Sequence, residues 1–321
     1  MSSYCEGKVA VVTGAGGTLC SAIAVDLAKK GAKVALVGRT REKLEKVASE
    51  IASFGGICRI EPADVTDEAA MREMAERVAA EWGPCRFLVN GAGGNNVKAM
   101  PTRLRFCEKD LESPLFTNDN CHNCPQVVNK NSTRSTCSTR LNNLVNPVNP
   151  VKKDPPADRG FFDIDMEAFK SVLEINTLGT VIPSRIFGLQ MAKAGGGAIL
   201  NFASMNTYRP LTRVAPYAMS KAAIANWTMF FAQYMAPAKV RVNAVAPGFF
   251  VNERSRAYLM TPDGGFSARG QQVIHHTPMG RFGEADELLG CVNWLLDDEK
   301  SGFVTGITVP VDGGFLASAG V

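Results

Sequence analysis

The chain has 321 residues, 45% of them hydrophobic, with 35 Lys and Arg against 31 Asp and Glu for a formal net charge of +4. That is enough apolar material for a sizeable core, and it excludes a disordered chain. No run of five or more basic residues interleaved with aromatics marks a nucleic-acid surface, and no stretch of about eighteen apolar residues marks a membrane span, so small-molecule chemistry is the class left.

Met1 to Lys8 shows no basic start leading into an apolar run, so a cytoplasmic location is expected. In that compartment the nine cysteines are read as free thiols, buried small hydrophobes or metal ligands rather than disulfides.

Taken in order, Val9 to Thr13 reads as a strand, followed by a helix to Lys30, a strand from Lys33 to Val37, a helix from Arg41 to Phe54 and a strand from Ile57 to Glu61. A helix from Asp67 to Trp82 and a strand from Arg86 to Asn90 continue the alternation. From about 97 to 160 neither period holds, and Asn, Ser, Thr and Pro dominate, so this stretch is read as an irregular insertion or lid next to the ligand crevice. The pattern resumes with a helix from Met166 to Lys193, a strand from Ala198 to Ala203, a helix from Pro216 to Met235 and a strand from Val240 to Val245. A final helix near Glu284 to Leu296 leads to a strand from Val304 to Val311. Strands alternating with helices predict one α/β domain, a doubly wound Rossmann-type parallel sheet of about seven strands with helices on both faces.

Thr13-Gly14-Ala-Gly16-Gly17-Thr18-Leu19-Cys20 follows the first strand and opens a helix, the setting in which glycines admit a pyrophosphate to a helix N-terminus. Neither common glycine spacing is complete, because Thr18 and Cys20 stand where glycines are expected. The second strand ends in Gly38-Arg39-Thr40 rather than an acid. Arg39 suits a 2′-phosphate, which favours NADP over NAD; stacking on adenine or facing solvent are its alternatives. Asp64, in Pro62-Ala-Asp64-Val65, is placed to meet the adenine, and Asn90-Gly-Ala92-Gly93 offers small residues where a cofactor passes closely.

Tyr217 and Lys221 lie four apart on one helix and hence on one face. An ammonium about 4 Å from a phenol at an effective dielectric near 20 contributes roughly 4 kcal/mol towards the phenolate, lowering its pKa by about three. Ser204 ends the preceding strand, and Asn176 lies on the helix before it.

With the glycine turn, Asp64, Asn90-Gly-Ala-Gly93 and Pro247-Gly248, this ordered set resembles the short-chain dehydrogenase/reductase family over nearly the whole chain outside the insertion. The resemblance implies that Tyr217 exchanges a proton with the substrate oxygen, that Lys221 lowers its pKa and binds the nicotinamide ribose, that Ser204 polarises the carbonyl and that Asn176 holds a relay water. It implies cofactor contacts from Gly14, Gly16, Gly17, Thr18, Leu19, Arg39, Asp64, Val65, Asn90, Ala92, Gly93, Tyr217, Lys221, Pro247, Gly248 and Asn252. The last stands where the family usually has a Thr that bonds the nicotinamide amide.

Thr13 to Ser21, Asn90-Gly-Ala-Gly-Gly-Asn95-Asn96, Arg209-Pro-Leu-Thr-Arg213, Ala246 to Phe250 and His276 to Glu284 are similar to the D-mannonate oxidoreductase, or fructuronate reductase, subgroup, which sits close to the gluconate 5-dehydrogenases. A sugar acid interconverted with its keto form by NADP or NAD is therefore the expected reaction. A gluconate 5-dehydrogenase, a 3-oxoacyl thioester reductase and a non-catalytic NAD(P)-binding protein are the alternatives. Arg209 or Arg213 would bind the substrate carboxylate, with binding of cofactor phosphates or of a neighbouring subunit as their other uses. Asn95, Asn96 and Asn206 would take sugar hydroxyls beside Ser204. The resemblance also implies a homotetramer with Val311 to Phe315 near an interface. Cys121-His-Asn-Cys124, with Cys107 and Cys137, is the one zinc candidate; free thiols are the reading adopted, and catalysis needs no metal.

Overall fold

The computed structural model describes residues 3–112, 158–251 and 253–318. Its first half follows the β-branched runs: β1 (Val9–Thr13), α1 (Thr18–Lys29), β2 (Lys33–Gly38), α2 (Arg41–Ser53), β3 (Ile57–Pro62), α3 (Glu68–Trp82) and β4 (Cys85–Asn90). The second half holds α4 (Met166–Lys193), β5 (Gly197–Phe202), α5 (Ala215–Met235), β6 (Val240–Pro247), α6 (Glu253–Leu259), α7 (Ala268–His275), α8 (Leu289–Leu296), α9 (Asp298–Ser301) and β7 (Thr308–Val311). The strands form one seven-stranded sheet in the order β3-β2-β1-β4-β5-β6-β7, parallel at every pairing.

Strands covered on both faces read as continuous apolar runs, and β1 and β6 are buried along their whole length. Alternate residues serve opposite faces: Ala10 and Val12 pack under α1, α2 and α8, while Val9 and Val11 pack under α3, α4 and α5. Two of the helices start where an aspartate satisfies free N–H groups. Asp67 accepts from Ala70 N to open α3, and Asp165 accepts from Glu167 N and Ala168 N to open α4. The strand order reverses between β1 and β4, so the crevice beyond their carboxyl ends is the natural ligand position.

Three stretches depart from the sequence reading. The helices α6 and α7 were not expected; they are short, and α6 is largely polar and charged, so neither shows a long apolar stripe. The last strand begins at Thr308 rather than Val304, because Gly306 turns with φ +81. The Asn243 side chain bonds the backbone of Val304 and Ile307 there in place of the ladder. The insertion has an ordered stem: the N–H groups of Thr102 and Arg103 donate to Arg159 O at 3.0 and 3.2 Å. The Arg103 guanidinium lies 3.2 Å from both Asp110 and Asp163 and 3.6 Å from Asp158. Cys107 accepts a bond from Arg103 at 3.1 Å, while Cys121, Cys124 and Cys137 lie outside the described residues. Among the described residues no group of three or more His, Cys, Asp or Glu is arranged to hold a metal.

Candidate active site

Gly14 leaves β1 with φ +67, and a Cβ there would lie 2.7 Å from Gly91 O, so both its conformation and the close approach of β4 call for glycine. The turn is tied down by Ala15 N donating to Val37 O at 3.1 Å and Gly17 N donating to Gly14 O at 2.9 Å. Gly17 caps α1 without a side chain, and no acid sits in the first turn. Gly17 and Thr18 are exposed. The free N–H groups and positive end of α1 thus face the crevice uncompensated, which fits a pyrophosphate. Cys20, at one of the positions where a glycine was expected, is buried with its Sγ in the space a Cβ on Gly91 would need.

Thr13 ties the ends of β1 and β4 together. Its hydroxyl donates to Val89 O and accepts from Gly91 N and Ala92 N at 3.1 and 3.2 Å. Asn90 turns its side chain into the core, where Nδ2 donates to Ser184 Oγ and Asn201 Oδ1, both at 2.9 Å. Asn201 in turn donates to Thr228 Oγ1 of α5 at 3.0 Å. This buried chain of four polar residues sets α4 and α5 against the sheet; only Asn90 of the four had been singled out in the sequence. Both protons of the Asn90 amide are therefore committed to the core.

At the adenine end, Arg39 Nη1 lies 3.7 Å from Asp64 Oδ2. Burial raises the Asp64 carboxyl, but hydrogen bonds from Thr66 and the charge of Arg39 outweigh it and hold the group below its ordinary value. Val65 is buried and packs against Gly179 of α4, so its side chain belongs to the core. At the other end Pro247 closes β6, and Gly248 N donates to Val311 O at 2.9 Å. Asn252 lies outside the described residues.

The expected chemical residues converge where β4 and β5 end. Lys221 is buried, its Nζ donates to Phe202 O at 2.7 Å, and the same Nζ lies 5.4 Å from the centroid of the Tyr217 ring. The Ser204 hydroxyl lies near enough to the Tyr217 phenol to pull its pKa down. The electrostatics reverse the sequence expectation. Burial pushes the Tyr217 phenol up, with the nearby Ser204 hydroxyl opposing it in part. Burial also pulls Lys221 down to about 8, against a smaller contribution from the Cys20 thiol. Desolvation disfavours both charged forms, and in the protein alone it outweighs the attraction that four-residue spacing suggests.

Asn176 is fully buried, and its amide is committed to the chain. Nδ2 donates to Gly94 O at 2.7 Å and Val172 O at 2.8 Å, while Oδ1 accepts from Gly94 N at 3.2 Å. Both amide protons are thus taken, and the side chain tethers the Gly93–Gly94 backbone rather than offering a donor to a relay water. A Cβ on Gly93 would lie 2.5 Å from Asn176 Oδ1 and 3.6 Å from Lys221 Nζ, which places that backbone against the lysine.

The expected substrate residues divide. Asn95 is exposed and accepts from Asn96 N, while Asn96 Oδ1 caps the next turn by accepting from Lys98 N at 3.0 Å. Asn206 is buried and turned to its own neighbours, with Nδ2 donating to Ser204 Oγ and Oδ1 accepting from Leu211 N, so it is not free for a sugar hydroxyl. Arg209 reaches away to donate to Ser318 O at 2.6 Å. Arg213 has φ +71, a rare conformation for a side-chain-bearing residue, and lines a cavity with Leu211, Arg105, Phe161 and Phe162. It forms no ion pair among the described residues; burial and then the neighbouring Arg269 both lower its pKa.

Comparison with known proteins agrees with this geometry. The family profile described as short chain dehydrogenase matches residues 8–120, and that described as Enoyl-(Acyl carrier protein) reductase matches residues 126–316. An uncharacterised oxidoreductase of Bacillus subtilis (strain 168), UxuB, is 38% identical over 98% of this chain and 97% of its own. A Haemophilus influenza protein provisionally described as a D-mannonate oxidoreductase, crystallised with bound NAD, aligns at TM-score 0.80 with 34% identity over 98% of this chain and 97% of its own. A Beutenbergia cavernae protein provisionally described as an NAD(P) dependent gluconate 5-dehydrogenase, with NADP at low occupancy, aligns at TM-score 0.72 with 28% identity over 98% of both chains.

Proposed function

The chain belongs to the short-chain dehydrogenase family and is an NAD(P)-dependent oxidoreductase of alcohol and keto groups, and from that premise we propose that its substrate is a sugar acid, with D-mannonate and D-fructuronate as the pair. The observation that carries this reading is Arg213, a cation two residues before the catalytic helix, next to Arg269 and with no carboxylate partner among the described residues. Two neighbouring cations with no ion pair among the described residues favour an anionic ligand, and a guanidinium fork matches a carboxylate. The likeness to the Haemophilus protein points to the same substrate class.

A bound nicotinamide cofactor would supply or accept the hydride. The glycine turn and the open end of α1 would hold its pyrophosphate, and Arg39 and Asp64 would flank its adenosine. In reduction, Tyr217 gives a proton from its phenol to the substrate oxygen, and a raised pKa keeps that proton in place at neutral pH until it is needed. Ser204 donates a hydrogen bond to the same oxygen. Lys221, pinned by Phe202 O beneath the ring, favours the phenolate that the transfer leaves behind.

A gluconate and its 5-keto form make the second reading, favoured by the likeness to the Beutenbergia protein. We also place the protein in the cytoplasm as a homotetramer. Among the described residues no helix is long and apolar enough to cross a membrane, and Leu189, Met219, Phe230 and Tyr234 leave an apolar face exposed on α4 and α5. The deciding experiment is a panel of hexuronates, keto-gluconates, neutral ketoses and a 3-oxoacyl thioester, each with NADH and NADPH. Fructuronate should be reduced far better than its neutral counterpart, and a preference for neutral ketoses or the thioester would overturn the sugar-acid reading.

A further inference from the structure

We propose that Asn206 is a positioning residue that fixes the direction of the Ser204 hydroxyl, leaving it only as a hydrogen-bond donor towards the reacting oxygen. This rests on the role given to Ser204 above.

The case begins with Leu211. Its backbone N–H can only donate, and it lies 2.9 Å from the Asn206 side chain, so the atom it meets is Oδ1. That settles which way the buried amide is turned. The atom 3.3 Å from Ser204 Oγ is then Nδ2, which also can only donate. The backbone N–H of Asn206 donates to the same hydroxyl oxygen at 3.2 Å. A serine hydroxyl has two lone pairs and one proton. Asn206 fills both lone pairs, and the proton is what remains, on the side where Tyr217 meets Ser204. A donor held in place before the reaction needs no reorganisation when negative charge grows on the substrate oxygen. Two residues of sequence separation and a chain that bends back at Leu211 are all the arrangement requires, and nothing in the sequence pattern reveals it.

Asn206→Asp separates this role from a purely structural one. The carboxylate still offers Leu211 N an acceptor, so the turn from Met205 to Leu211 keeps its bond, but it sets an acceptor opposite Ser204 Oγ and draws the proton the wrong way. Turnover is measured on the best keto substrate of the panel for wild type, Ser204→Ala, Asn206→Asp and the double variant, with cofactor dissociation constant and Tm alongside. We expect Asn206→Asp to lower kcat by about 10²-fold, the scale of losing one oriented donor, with cofactor binding unchanged. In the Ser204→Ala background the same change should cost no more than about 3-fold, because residues acting through one another are not additive. Equal losses in both backgrounds would mean that the new charge acts directly on Tyr217, and kcat within about 3-fold of wild type would mean that Asn206 only holds the turn; either overturns the proposal. Full turnover in Ser204→Ala would remove Ser204 from the chemistry itself, which is a separate failure. If Asn206→Asp does not fold, Asn206→Ala takes its place: a drop of at least about 10-fold in kcat at unchanged cofactor KM supports the role, and a drop under about 2-fold ends it.

Discussion

The thiol of Cys20 and the missing side chain of Gly91 are complementary: Sγ fills the space that a Cβ on Gly91 would need. The side chain at position 20, where a glycine was expected, is thus accommodated by a glycine at the end of β4. Gly91→Ala should overpack the contact and destabilise the protein by about 1 to 3 kcal/mol, read from urea unfolding. Cys20→Ala should rescue the larger part of that loss, because Cys20 Cβ at 3.6 Å is an ordinary contact and only Thr13 O, at 3.1 Å, stays tight. Additive losses in the double variant would show that the two positions do not share the space.

The same pair shows where the sequence could be read and where it could not. The strands were legible because burial on both faces writes itself as Val9-Ala-Val-Val and Val240 to Val245, and Tyr217 with Lys221 was legible because a four-residue step keeps one helix face. The departure at Cys20 looked like a defect only because the residue it meets, Gly91, comes from a distant strand. Arg209 and Arg213 are equivalent in sequence; only the backbone turn at Arg213 sends one to Ser318 and the other to the cavity. The sign of the Tyr217 shift was misjudged because spacing reports the neighbour's charge and not the desolvation around both groups.

Tyr217→Phe removes the proton donor and leaves the ring. Turnover should fall by at least about 10²-fold while cofactor binding, followed by fluorescence titration, is nearly unchanged. Retention of more than half the wild-type rate would take the phenol out of the chemistry.

Lys221 makes stability depend on pH. Unfolded, it holds its proton up to 10.5; folded, only to about 8. Between those values the unfolded state binds more protons, so this group's contribution to stability rises with pH through the window and is flat below it. Wild type measured against Lys221→Met should therefore gain on the order of 1 to 3 kcal/mol between pH 8 and 10.5. A difference independent of pH would show that the lysine is not desolvated.

Arg213→Ala should weaken binding of the acid substrate by about 1.5 to 3 kcal/mol, the scale of a hydrogen bond to a charged group, and leave neutral ketones alone. Arg209→Ala should affect neither, since that guanidinium is turned to Ser318 O. KM and kcat for an acid and a neutral substrate, measured on both variants, test this directly; the opposite ranking would move the carboxylate to Arg209.

Arg39→Ala should reduce affinity for NADPH more than for NADH, by about tenfold if one charge-assisted bond to the 2′-phosphate is lost. Equal changes for the two cofactors would show that Arg39 serves only its ion pair with Asp64.

The stem at the base of the insertion uncouples two parts of the gene product. Lys109 Nζ lies 3.0 Å from Asp158 Oδ2, and Thr102 pairs with Arg159, so the points where residues 113–157 leave and rejoin the domain are side by side. Closing a loop between adjacent ends costs only about 0.6 kcal/mol more for each doubling of its length. By closure entropy alone the length of chain beyond the stem should matter little to the stability of the sheet, while the wall from Leu104 to Phe106 is clamped through Arg103 and Asp110.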